Sequence, residues 1–107
     1  MNNGTLFFHY MKFMFDETTA LACAVLIGPP TYVDENIFEC EVGFENMGNI
    51  EPVAVRANTE MHALWAAMAE AGRIVQTHPA ADYLDVAALP NFGFPLPPPD
   101  ASVNPPE

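Results

Sequence analysis

Basic residues are scarce in this sequence, in which 3 lysines and arginines stand against 14 aspartates and glutamates, for a formal net charge of -11 at pH 7. Proteins that bind nucleic acid directly need Lys and Arg to neutralise phosphates, so the scarcity disfavours direct nucleic-acid binding. Strong negative charge favours a basic protein partner instead. The alternative interpretation is that the charge serves solubility alone.

Long hydrophobic runs are also missing. The longest extend from Leu6 to Phe15 and from Ala20 to Ile27, well short of the roughly 20 residues that a membrane-spanning helix needs. The start of the chain, Met1 to Gly4, carries no basic residue, and no convincing cleavage site follows the apolar stretch. We therefore expect neither a secretion signal nor a membrane partner, and we predict a cytoplasmic protein.

The two cysteines, Cys23 and Cys40, form no Cys-x-x-Cys pair and are too few for a disulfide framework. Both lie in apolar segments, where a free cysteine packs as a small hydrophobic side chain. We expect free thiols in a reducing compartment, and an internal disulfide is the alternative. The spacing of His9, His62 and His78 indicates neither a nucleophilic site nor a zinc site. The sequence thus predicts no enzyme activity, no metal and no cofactor.

Apolar residues are abundant enough for one core, since 50% of the 107 residues are hydrophobic. The pattern predicts a single α+β domain over residues 1–89 and a proline-rich tail over residues 90–107. The expected fold is a four-stranded, mostly antiparallel sheet of meander order, with one long helix packed on a face.

Four segments have the composition of strands: Thr5 to Phe15, Ala20 to Ile27, Phe38 to Glu45, and Ile50 to Ala57. The second is rich in alanine, so a helix is the competing interpretation. A loop through Tyr32 and Asn36 separates it from the third strand. The third alternates clearly, with Phe38, Cys40, Val42 and Phe44 on one face and with Glu39, Glu41, Gly43 and Glu45 on the other.

Pro52 cannot donate a ladder hydrogen bond, so the fourth strand should lie at an edge or pair only after Pro52. A helix is predicted from Thr59 to Gln76, with Asn58 or Thr59 as its N-cap. Its predicted sheet-facing stripe consists of Met61, Leu64, Trp65, Met68, Ala71 and Val75. Gly72 should weaken this helix by about 1 kcal/mol relative to alanine unless it allows close packing.

The proline-rich tail is expected to be extended. Phe92, Phe94 and Leu96 should dock on the domain, and the last residues should not. The Pro-x-x-Pro spacing from Pro95 to Pro98 is typical of polyproline ligands, although a tail that only covers the domain explains the aromatic residues equally well.

Acidic residues cluster in the middle of the chain, where no basic residue occurs between Lys12 and Arg56. Carboxylates at Glu39 and Glu41 must project from the same face of one strand, and Glu51 on the next strand is expected near them. The sequence therefore predicts a partner-binding surface with six acidic members: Asp34, Glu35, Glu39, Glu41, Glu45 and Glu51. An ordinary solvated sheet face is the alternative.

The order of several short motifs resembles that of a family of small bacterial proteins of unknown function. The resemblance covers about residues 20–76 and rests on the run from Ile27 to Pro30, a strand that holds Cys40, a hairpin, and a helix with Ala63-Leu64 and Ala67. The segment from Asn58 to His62 departs from the family pattern at the helix start. The resemblance implies a bacterial or phage setting and supplies no functional residue.

These observations favour a small acidic protein that is not an enzyme and that binds and inhibits a basic partner protein, such as one that binds nucleic acid. Such a protein would be a toxin-immunity protein or a DNA mimic of the anti-CRISPR type, with Asp34 and Glu35 as charges that speed encounter. The alternative is a self-associating structural or assembly subunit, such as a homodimer. Its contact surface would include Phe7, Phe13, Phe15 and Phe92.

Overall fold

The computed structural model describes residues 5–97 of the chain. In this range an antiparallel sheet packs against one long helix, which confirms the predicted α+β class. The strands are β1 (Phe7–Met14), β2 (Ala20–Ile27), β3 (Thr31–Asp34), β4 (Ile37–Glu45) and β5 (Val53–Ala57). The helix is α1 (Glu60–Val75), and two short 3₁₀ turns follow it at Ala81–Tyr83 and Pro90–Gly93.

β4 is the centre of the sheet. It pairs with β5 along one edge and with both β2 and β3 along the other. Ile27 lies opposite Val42 and Thr31 lies opposite Glu39, so the β2–β3 side carries one residue more than the β4 side between these pairs. The Gly28 N–H still donates to the Glu41 carbonyl at 2.9 Å. Together β2 and β3 therefore act as one bulged strand, and the meander order is retained.

The predicted loop after Pro30 is thus wrong in its first part, because residues up to Asp34 pair with β4. The predicted ends of the other strands hold within a few residues. β5 begins at Val53, directly after Pro52, and it pairs with β4 alone among the described strands. This agrees with the expectation that Pro52 keeps its own position out of the ladder.

The core lies between α1 and one face of the sheet. Cys40 and Val42 of β4 are completely buried there, together with Ala63 and Ala67 of α1. Other buried members come from β1, β2, the β4–β5 connection and the segment after α1: Met11, Phe13, Cys23, Val25, Ile27, Met47, Leu84 and Phe94. This arrangement confirms the predicted apolar face of β4.

The predicted apolar stripe of α1 is wrong in part. Met61 is 76% exposed and Trp65 is 38% exposed, whereas Ala63 and Ala67, which were not in the predicted stripe, are buried; Ala71 and Val75 are buried as predicted. The sheet already presents long side chains to the core, so the helix fits closely only where its own side chains are small. Periodicity gave the helix correctly but selected its large residues over its small ones.

The N-terminus of α1 is capped as predicted. The Thr59 Oγ1 accepts a hydrogen bond from the His62 N–H at 3.0 Å, which makes Thr59 the N-cap. Glu60 in the first turn and Arg73 in the last turn complement the helix dipole.

In the part of the chain that the structure describes, no helix is long and apolar enough to cross a membrane.

The start of the tail docks on α1. Phe94 is only 7% exposed, and it packs so close to Gly72 that a Cβ added there would lie 2.7 Å from its own Cβ. Leu96, predicted to dock, leaves its side chain 66% exposed, and its carbonyl accepts a hydrogen bond from the Trp65 Nε1 at 2.8 Å. The expectation for the final residues concerns positions outside the described range.

Candidate functional site

The face of the sheet opposite α1, called the outer face below, carries the predicted acidic row. Residues directly opposite each other on paired strands point to the same side, so the register defines its rows. One row runs Tyr10, Ala24, Glu45, and the next runs Phe8, Leu26, Gly43. The margins of this face are exposed at Tyr10, Met14, Glu41, Glu45 and Ala54.

The carboxylates on β4 are not equivalent. Glu41 lies opposite Ala54 and Glu45 lies opposite Ala24, and both glutamates are exposed. Glu39 lies opposite Arg56 and accepts a hydrogen bond from its Nε at 2.9 Å. Because the arginine neutralises one carboxylate, the free charge of the row is concentrated at Glu41 and Glu45.

The remaining predicted site residues lie off this row. Glu51 is exposed in the connection between β4 and β5, two residues before β5 begins, so it lies outside the paired strands. Asp34 and Glu35 are exposed at the turn between β3 and β4, where the Asp34 Oδ1 accepts from the Glu35 N–H at 2.7 Å. The structure thus brings together three of the six residues on one strand and places three in loops or at a strand end.

Aromatic residues of β1 extend the outer face. The Phe8 and Tyr10 rings stack with centroids 5.6 Å apart, and Tyr10 is 70% exposed. Sequence reasoning named Phe7, Phe13 and Phe15 as contact residues, yet Phe13 is buried in the core. The period-two alternation of β1, in which Met11 and Phe13 point inward, would have identified Phe8 and Tyr10 instead.

The centre of the outer face carries no side chain at Gly43. Gly43 stands between Glu41 and Glu45 along β4, and a Cβ added there would meet no atom within 4 Å. Its neighbour across the strand pair is the half-buried Leu26. An apolar centre with charged margins is the usual composition of a protein-binding surface.

The two cysteines are buried on the opposite side, in the core. The Cys23 Sγ donates to the Met11 carbonyl at 3.7 Å, and the Cys40 Sγ donates to the Gly28 carbonyl at 3.6 Å. Burial raises the pKa of each thiol to about 11, with a smaller contribution from the Asp85 charge at Cys23. At neutral pH both thiols are therefore protonated and poor nucleophiles.

The recorded contacts of the three histidines are with residues other than the cysteines. His9 packs edge-on against Phe94, with ring centroids 4.7 Å apart, and His62 stacks on Trp65. The His78 Nδ1 accepts from the Ala80 N–H at 2.9 Å. Across residues 5–97, no group of three or more His, Cys, Asp or Glu residues is placed to hold a metal ion.

Comparison with known proteins finds no match. No protein-family model matches the chain, no curated protein matches it, and no solved structure matches its fold.

Proposed function

We propose that this chain is a non-enzymatic acidic protein that binds and inhibits a basic partner protein through its outer face. The observation that carries the proposal is the open space over Gly43, flanked by the exposed carboxylates of Glu41 and Glu45. A partner that inserts an apolar side chain there would bring neighbouring Lys or Arg residues within reach of both carboxylates. Exposed Tyr10 would add aromatic contact area.

Of the two inhibitor types, the geometry favours an immunity-like protein over a DNA mimic. The two unpaired carboxylates of the row, Glu41 and Glu45, are four residues apart on one strand, which corresponds to about 13 Å. Double-stranded DNA carries one negative charge about every 1.7 Å of its axis. Glu39 is paired with Arg56, so the row reproduces the charge density of DNA poorly. A compact basic patch on a protein is the better match.

The buried free thiols support a reducing, cytoplasmic setting for this activity.

The acidic loops contribute differently from the central face. Asp34 and Glu35 at the β3–β4 turn and Glu51 before β5 are exposed and would steer a basic partner during encounter. Their removal should slow association more than it speeds dissociation.

The test compares two charge-matched variants as baits in lysates of candidate host cells. One carries Glu41→Gln and Glu45→Gln, and the other carries Glu17→Gln and Asp82→Asn, which lie in the β1–β2 turn and in the first 3₁₀ turn. A basic protein captured by the wild type and by the second variant, but not by the first, is the expected result. Equal capture by all three baits would contradict the proposal.

The captured protein then permits a direct measurement. Its affinity should fall as salt rises from about 0.01 M to about 1 M, because the Debye length shrinks from about 30 Å to about 3 Å. Gly43→Leu, which fills the open space over Gly43 without changing charge, should weaken binding at every salt concentration. The partner's own activity should be lost on addition of wild-type protein and retained on addition of Gly43→Leu.

Self-association is a second candidate, favoured by the open part of the β1 edge. Odd-numbered residues of β1 bond to β2, as the Phe15 N–H bond to Thr19 shows, so the backbone groups of Phe8 and Tyr10 point away from the sheet. Within residues 5–97 these groups have no backbone partner. Sedimentation velocity distinguishes the candidates, since apolar and backbone pairing should persist at high salt.

A further inference from the structure

A groove lies between the free edge of β5 and one side of α1. It is therefore on the helix side of the sheet, whereas the acidic row is on the outer face. The volume of the groove is about 650 Å³, within the range of ligand-binding clefts. Apolar side chains form its base at Ile37, Val53, Val55 and Ala57. We propose that this groove binds an extended peptide that carries a carboxylate and pairs with β5 as an added strand.

The backbone of β5 is placed for such pairing. The Glu41 carbonyl bonds to Gly28, which directs the backbone groups of Glu41 and Glu39 away from β5. Ala54 and Arg56 lie opposite these two residues, so their own N–H and C=O groups point outward from the sheet. Among residues 5–97 they have no hydrogen-bond partner. Unpaired edge groups of this kind are the template for strand addition.

The helix supplies the opposite wall. Ala66, Ala69, Glu70 and Arg73 follow i, i+3, i+4, i+7 spacing and all line the groove. The two alanines leave room for side chains of a guest strand, because they project only a methyl group. Alternate residues of an extended peptide would point between β5 and this wall, while its backbone pairs with the edge.

Charge indicates what the guest carries. Two of the chain's 3 basic residues, Arg56 and Arg73, line this groove, and because Arg56 is paired with Glu39 on the outer face, Arg73 is the one that faces a guest. The Arg73 Nε donates to Glu70 at 3.0 Å, and its Nη2 donates to the same carboxylate. The Nη1 group of Arg73 does not bond to Glu70. The Arg73 side chain is 64% exposed. Since a guanidinium has five N–H donors, it can bind a second carboxylate without releasing Glu70.

The experiment uses a fluorescein-labelled peptide of alternating threonine and valine that has the length of β5, 5 residues, and a free C-terminal carboxylate. Binding to the full chain is followed by fluorescence anisotropy. Two further peptides serve as controls: the C-terminal amide, and a peptide methylated at the backbone nitrogens that would pair with β5. We expect the amide to bind about tenfold more weakly and the methylated peptide to lose binding.

Protein variants test the same contacts from the other side. Ala54→Pro removes an outward N–H without removing a ladder bond, so it should weaken binding at least about tenfold, whereas Ala54→Thr should bind as the wild type does. Arg73→Gln should weaken binding of the free acid to the level of the amide. Glu41→Gln with Glu45→Gln should leave binding unchanged, which separates this site from the outer face.

Three results would overturn the inference. Equal binding of the methylated peptide would mean that β5 does not pair with the guest. Equal binding of the acid and the amide would remove the role of Arg73. Binding that appears only in a chain shortened to end at Pro97, which lines the groove, would assign the groove to the chain's own residues 98–107.

Discussion

At the scale of single residues, Gly72 shows how a local preference is overridden by packing. Glycine inside a helix usually costs about 1 kcal/mol relative to alanine. Here a Cβ would lie 2.7 Å from the Phe94 Cβ and 2.9 Å from the Asn91 Nδ2. The residue is therefore the contact point at which the tail reaches α1.

We predict that Gly72→Ala lowers the free energy of unfolding by about 1–2 kcal/mol, because overpacking outweighs the gain in helix propensity. Urea denaturation followed by circular dichroism measures the change. Gly43→Ala is the matched control, since a Cβ there meets no atom within 4 Å, and its stability should equal or exceed that of the wild type. A more stable Gly72→Ala protein would show that Phe94 does not pack on this helix.

The thiols give a pH dependence with a defined sign. The folded-state pKa of Cys23 and of Cys40 is about 11, raised by burial from the ordinary value of 9.0. Above about pH 9 the unfolded chain ionises its thiols while the folded chain keeps them protonated, so stability should fall as pH rises toward about 11. The stabilising contribution is fully present below about pH 9.

The measurement is urea denaturation across this pH range, for the wild type and for a variant with Cys23→Ala and Cys40→Ala. The variant should be less stable at neutral pH, because of the cavities, but should lose less stability between about pH 9 and about pH 11. Equal alkaline slopes for the two proteins would assign the transition to other groups.

At the scale of elements, the segment after α1 is held by a few polar contacts. The Asn91 Oδ1 accepts from the Gln76 Nε2 at 2.7 Å, and the Asn91 Nδ2 donates to the Pro95 carbonyl at 2.7 Å. Asn91 also adopts a left-handed conformation with φ 47°, which asparagine tolerates better than most residues. The residue thus fixes both the course of the chain and its attachment to α1.

We predict that Asn91→Gly, which retains the backbone conformation but loses the side-chain hydrogen bonds to Gln76, Phe94 and Pro95, loosens this segment and lowers stability by about 1–2 kcal/mol. The readout is the emission of the chain's 1 tryptophan, because Trp65 donates its N–H to the Leu96 carbonyl. Emission should shift to the red as Trp65 becomes hydrated. Unchanged emission and stability would mean that the Gln76 and Pro95 contacts are dispensable. Asn36→Gly, at another left-handed position (φ 58°) in the turn between β3 and β4, is the control for general effects.

The elements differ in how far sequence alone could predict them. The alternating faces of β4 and the N-cap of α1 could be predicted from sequence, because both depend on local rules. The buried face of α1 was predicted only in part, because the burial of Ala63 and Ala67 depends on the size of the side chains that the sheet presents. The outer face was found only in part: the glutamates followed from alternation, but the Arg56 partner of Glu39 and the open space at Gly43 depend on strand register.

At the scale of the whole molecule, β1 and β5 lie at opposite edges of the sheet, and each leaves part of its edge unpaired within residues 5–97. On β1, Asp85 pairs with the outward backbone groups of Lys12. Its N–H donates to the Lys12 carbonyl at 2.9 Å, and its Oδ1 accepts from the Lys12 N–H at 3.2 Å. The side chain of Asp85 thus occupies a backbone donor that another strand would otherwise use.

We predict that Asp85→Ala increases self-association, because it frees the Lys12 N–H and removes a negative charge from the edge. Light scattering at rising protein concentration measures the effect. Asp85→Asn keeps an oxygen acceptor and should stay closer to the wild type. Equal scattering from Asp85→Ala and the wild type would show that this edge is not what limits association.

The two unlike edges also determine the symmetry of any such assembly. If the β1 edge of one copy pairs with the β5 edge of the next, each added copy leaves the same two edges exposed, and the result is an open filament that grows at both ends. Pairing of β1 with β1 instead closes after two copies. Occupation of the β5 groove by a peptide would stop filament growth and leave the closed dimer unaffected, so a ligand of that groove would also act as a chain terminator.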